Sequence, residues 1–130
     1  MERGARRARQ AARWLLGAGL VCSAGHPVVA SGMAATERLV VTASRYRFAP
    51  ARLAVRRGDV VELVLHSTDT THGLAIKAFR VKAVIPRGGA EVTVSFVADK
   101  AGVFPFACSE YCGSGHKRMR GELAVEEATQ

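Results

Sequence analysis

Long helical periods, internal repeats and low-complexity linkers are all missing from this 130-residue chain. Without a helical period, folds that alternate helices with strands are disfavoured. No apolar run reaches the about 20 residues that a membrane-spanning helix needs; the longest, Trp14-Leu15-Leu16-Gly17-Ala18-Gly19-Leu20-Val21-Cys22, falls short. The chain has only 1 Trp, 4 Pro and 3 Cys. It shows no grouping of nucleophile, acid and base, so catalysis by this chain alone is not expected.

Charge is abundant and one-sided. The formal net charge is +8, which raises nucleic acid as a partner, but much of the excess is Arg3, Arg6, Arg7, Arg9 and Arg13 against Glu2. Without those thirteen residues the excess falls to +4. No helix-turn-helix pattern and no basic aromatic surface motif follows, so no nucleic-acid partner is expected. A basic head, a short apolar core and a small-residue tail read as a secretory signal over residues 1–30, or a short N-terminal anchor. Residues 31–36 then form a tether and 37–130 the domain. The expected location is the periplasm or another extracytoplasmic compartment, with membrane association through the N-terminus left open. Loss of the signal would discard Cys22 and leave two cysteines.

From Glu37 onward the pattern is that of strands. Leu39–Thr42 is apolar and β-branched, Tyr46-Arg47-Phe48 alternates before Pro50, and Arg52–Val55 ends at the Arg56-Arg57-Gly58-Asp59 turn. Val60–Ser67 places Val61, Leu63 and Leu65 on one face and Glu62, Val64 and His66 on the other, with His66 a solvated strand histidine. Glu91–Val97 alternates with Val92, Val94 and Phe96 inward, Val103–Ala107 leads into Cys108, and Glu122–Val125 is the last strand before a frayed end at 126–130. Short strands punctuated by Gly and Pro predict an all-β, Greek-key β-sandwich.

The chemistry is concentrated in Cys108-Ser109-Glu110-Tyr111-Cys112-Gly113-Ser114-Gly115-His116-Lys117-Arg118-Met119. Two thiolates, an imidazole and a thioether in one loop are soft-metal ligands, and the mixture suits copper through a one-electron change. Cys112, His116 and Met119, with His72 of Asp69-Thr70-Thr71-His72-Gly73, complete a mononuclear copper set and leave Cys108 as a spare thiolate. A disulfide or structural zinc would account for the cysteines but not for Met119. The Cys spacing is also shared by thioredoxin-fold copper-delivery proteins, so copper handling and a reversible Cys108–Cys112 thiol pair remain as alternatives.

Cys-Ser-Glu-x-Cys-Gly-x-Gly-His-x-x-Met after an upstream His resembles the dinuclear copper A domain of cytochrome c oxidase subunit II, over about residues 46–125. The resemblance implies a cupredoxin fold and two copper ions bridged by Cys108 and Cys112. It assigns one imidazole to each ion from His72 and His116, with the Met119 sulfur and the Glu110 backbone carbonyl as outer ligands. It further implies electron transfer from a donor such as a cytochrome to a terminal oxidase or other acceptor. The chain departs from the family in lacking two membrane helices and the tryptophan-rich segment that receives electrons, near which Tyr46 and Phe48 stand. Lys117, Arg118 and Arg120 flank Met119 and predict an acidic partner.

Overall fold

The computed structural model describes residues 34–129. The signal reading over 1–30, with Trp14 and Cys22, lies outside the described residues. Nine strands are present among them: β1 (Thr36–Ser44), β2 (Arg47–Ala49), β3 (Arg52–Arg56), β4 (Val60–Ser67), β5 (His72–Ile76), β6 (Val81–Ile85), β7 (Val92–Val97), β8 (Gly102–Ala107) and β9 (Arg120–Glu126). Single 3-10 turns span Lys77–Phe79 and His116–Arg118. No described helix is long and apolar enough to cross a membrane.

The strands form two sheets, ordered β2-β1-β4-β7 and β3-β9-β8-β5-β6. The chain passes from one sheet to the other between β2 and β3, β3 and β4, β4 and β5, β6 and β7, and β7 and β8. This is the cupredoxin-like sandwich. Period-2 alternation turns Val61, Leu63 and Leu65 of β4 toward Leu53, Leu74, Ile76, Ile85, Phe106 and Leu123 of the facing sheet, where all are buried. Each such side chain contributes about 1.5–3 kcal/mol by leaving water. Phe48 meets Phe106 edge-on, ring centroids 5.2 Å apart, which fixes the short β2 over the strand that leads to Cys108.

Several local expectations need correction. Tyr46 belongs to the turn between β1 and β2 rather than to a strand. Val64 lies on the outer face as read, yet it is buried, because Val40 of β1 and Thr93 of β7 flank it in register. His66 is not simply solvated: it is half-buried and its Nε2 lies 3.1 Å from Thr42 Oγ1. Glu126 completes β9, paired with Arg56, instead of fraying. Strand β6 was not anticipated, although Val81, Ala83 and Ile85 alternate inward there.

Topology collects four loops at one end. β1 and β4 run parallel toward Ser44 and Ser67, His72 at the start of β5 pairs with Ile85 at the end of β6, and β8 finishes at Ala107. The segments 45–46, 68–71, 86–91 and 108–119 therefore share that end.

Candidate metal centre

The 108–119 loop is closed at its base by the Cys108 N–H, which donates to the Met119 carbonyl at 3.0 Å. Within it the N–H of His116 donates to Gly113 O, that of Arg118 to Gly115 O and that of Met119 to His116 O, at 3.0, 2.9 and 3.1 Å. Side chains three residues apart eclipse in such a 3-10 turn, so His116 and Met119 project to the same side.

Two side chains of the β1–β2 turn hold the loop. Arg45 Nε donates to the Cys112 carbonyl at 3.0 Å. The Tyr46 ring packs where a Cβ on Gly115 would stand, and its hydroxyl where one on Gly113 would. Gly113 has φ +133°, in the region that L side chains avoid. The loop thus needs glycine at Gly113 for its backbone and at Gly115 for the tyrosine.

The donor atoms converge. His72, Cys108 and Cys112 each offer an atom within 4.8 Å of the others. The two sulfurs are 3.7 Å apart and both cysteines are free thiols, well beyond the about 2.05 Å of a disulfide. Cys108 Sγ lies 4.0 Å from His72 Nδ1 and 3.1 Å from the Glu110 carbonyl oxygen. Cys112 Sγ lies 3.8 Å from His116 Nδ1 and 3.9 Å from Met119 Sδ. Bonds of about 2.0–2.3 Å, as imidazole and thiolate make to zinc, place two tetrahedral ligands about 3.3–3.8 Å apart. The sulfur–sulfur and Cys112–His116 spacings fall within that range, and the other three lie within about 0.2 Å of it. All six residues read from the sequence are thereby brought together, with His72 rather than His66 beside Cys108.

Most of the donor residues are buried. His72 and Met119 are 0% exposed, Cys108 7% and Cys112 4%, while His116 is half-buried. Burial, reinforced by the neighbouring Cys108 thiol, pushes the Cys112 thiol up to about 11, so it keeps its proton at neutral pH until a metal displaces it.

Asp69 is the partner that residue types alone did not single out. Its Oδ1 is 2.7 Å from His72 Nε2, which assigns the proton to that nitrogen and turns Nδ1 toward Cys108. Asp69 Oδ2 accepts from the Arg45 N–H at 2.7 Å and Oδ1 from the Thr70 N–H at 2.6 Å. Burial raises the Asp69 pKa, but the N–H groups of Arg45 and Thr70 and the His72 ring outweigh it and hold the carboxyl at about 2. A signal was available in the sequence: an acidic residue three before the candidate histidine.

Residues 13–125 match the family described as Cupredoxin-like domain. The chain belongs to that family. Among curated relatives, the nitrous-oxide reductase of Ralstonia nicotianae is 36% identical over 104 residues, which cover 76% of this chain and 16% of the relative. Cytochrome c oxidase subunit 2 of Thermus thermophilus is 28% identical over 88 residues, covering 67% of this chain and 64% of that one. The cupredoxin-like chain thus spans about a sixth of the reductase's length. A heme-copper terminal oxidase dimer solved by cryo-EM superposes with TM-score 0.62 at 26% identity, covering 69% of this chain and 65% of that one. The periplasmic domain of cytochrome oxidase subunit II from Bradyrhizobium japonicum superposes at 0.60 with 23% identity over 70% and 84%, a likeness of fold.

Proposed function

We propose that this cupredoxin-like protein is an extracytoplasmic electron-transfer module that holds a pair of copper ions of the copper A type. The side chains of His72, Cys108, Cys112, His116 and Met119 and the carbonyl of Glu110 would hold them. The observation that carries the reading is the paired arrangement of donors: two thiols face one another at 3.7 Å, one backed by His72 and a carbonyl, the other by His116 and a thioether. A single ion would leave one thiol without a role. Relationship to oxidase subunit 2 and to nitrous-oxide reductase supports the same reading.

Copper held by such ligands supplies a one-electron couple. The chain's part is to keep the ligands still. β8 and β9 anchor both ends of the loop, Arg45 and Tyr46 hold its outer side, and Asp69 orients His72, so little geometry has to change between oxidation states. Buried thiols favour a resident metal over one held for delivery, for which accessible sulfur is needed. The half-buried His116 is the ligand that offers electrons a way out. A cytochrome-like donor and a terminal oxidase or other acceptor complete the proposal.

Metal analysis of the copper-loaded protein, with absorption and electron-spin-resonance spectra, tests it. Two coppers per chain sharing one unpaired electron are expected. One copper per chain, with the hyperfine pattern of a single nucleus, would refute the dinuclear reading.

A further inference from the structure

The loop end of the sandwich carries exposed cations from three separate segments: Arg45 and Arg47 at the β1–β2 turn, Arg87 after β6, and Lys117, Arg118 and Arg120 around Met119. Arg87 is close to the His72 loop, since its N–H lies 3.4 Å from Thr71 Oγ1. Arg120 is held against the ligand loop by its Nε, which donates to the Lys117 carbonyl at 3.0 Å. Next to Lys117 and Arg118 in sequence, the half-buried His116 ring stands 5.8 Å, centroid to centroid, from Tyr111, which is 80% exposed.

The charge at this end is not locally cancelled. Ion pairs among the described residues neutralise Arg38 with Glu62, Arg52 with Glu122 and Arg57 with Glu127, on strand faces and at the far end. None of the loop-end cations stands in such a pair among those residues. Asp69 is engaged by His72 and by the N–H groups of Arg45 and Thr70. Glu110 is half-buried and Glu91 is exposed, which leaves the cations in excess.

We propose that this end is a docking surface for a redox protein whose own cofactor edge is ringed by carboxylates, with Tyr111 and His116 at its centre. The inference rests on the electron-transfer reading and adds the partner's chemistry. An exposed aromatic within a charged rim is the arrangement in which charge steers the encounter and the apolar centre makes the contact. Complementary charge raises association rates by roughly 10 to 1,000-fold at low salt, and a strongly basic cytochrome is repelled.

The test uses the copper-loaded full chain against an acidic cytochrome c and against basic mitochondrial cytochrome c. Stopped-flow rates are read at ionic strengths of about 0.01 M and about 0.1 M, where the screening length falls from about 30 Å to about 10 Å. The acidic cytochrome is expected to react at least about tenfold faster at the lower salt, and to lose that advantage at the higher. Charge reversal by Lys117→Glu, Arg118→Glu and Arg120→Glu together abolishes the preference. Arg56→Glu, Arg57→Glu and Lys100→Glu together, the same change in net charge at the opposite end, retains it. Carbodiimide coupling of the copper-free chain to the acidic cytochrome, read at Lys117, reports docking without reference to metal. A chain that takes up no copper but couples there retires the copper reading and keeps the docking surface. A chain that loads copper while reacting faster with the basic cytochrome overturns the docking surface alone. So does binding to phosphatidylglycerol vesicles under conditions where the acidic cytochrome does not bind.

Discussion

Asp69 Oδ1 lies 2.7 Å from His72 Nε2, on the side of the ring opposite Cys108. The carboxylate fixes which nitrogen of the buried imidazole is free to bind metal and which way the ring faces. Removing a partner of this kind costs about 10–100-fold in metal affinity. Asp69→Ala is therefore expected to weaken copper binding by about that factor while leaving the strands intact. Chelator competition measures the affinity and circular dichroism the fold. An unchanged affinity would reduce Asp69 to a cap for the 68–71 turn, where it also accepts N–H groups from Arg45 and Thr70.

Cys108→Ser removes one of two facing thiols and leaves Cys112, His116, Met119 and His72, which is a mononuclear copper set. The expected outcome is one copper per chain, with spectra of a single copper–thiolate. Metal analysis and electron-spin resonance decide it. Retention of two coppers with an unaltered spectrum would mean that Cys108 does not bridge.

The candidate donor residues were legible because their spacing is chemical: soft donors four, four and three residues apart in one loop leave few structural uses for Met119. The sandwich was legible because Val61, Leu63 and Leu65 alternate. Residues whose roles depend on other segments were not. Nothing near Arg45 in sequence reveals that its guanidinium reaches the Cys112 carbonyl, 67 positions away. Polar alternation also placed Val64 and His66 on an outer face without revealing that neighbouring strands cover it, since coverage is a property of the sheet and not of the strand.

Met119 is fully buried with its sulfur 3.9 Å from Cys112 Sγ. A near-isosteric Met119→Leu costs less than about 1.5 kcal/mol in packing and, on the proposed ligand assignment, removes a weak ligand that mainly tunes the potential. It is expected to keep copper bound with a shifted potential, whereas His116→Ala, which deletes a strong ligand, loses copper or alters its stoichiometry. Protein-film voltammetry and metal analysis compare the two. If the methionine change emptied the site and the histidine change did not, the roles would have to be exchanged.

The last prediction concerns the contact between Tyr46 and Gly115. Gly115 has φ −88°, a conformation open to any residue, so its backbone does not demand glycine. What forbids a side chain there is the Tyr46 ring, which occupies the position of a Cβ. Gly115→Ala must push the ring or the loop aside, and overpacking of this kind costs about 1–3 kcal/mol. In a Tyr46→Ala background the obstruction is gone, so the same substitution is expected to cost much less than in the parent, a non-additivity that residues in contact display. Urea unfolding of the four copper-free proteins measures the coupling, and copper affinity measured on each reports whether the displaced loop still presents His116. Additive costs would show that the loop yields without resistance and that Tyr46 does not hold it in place.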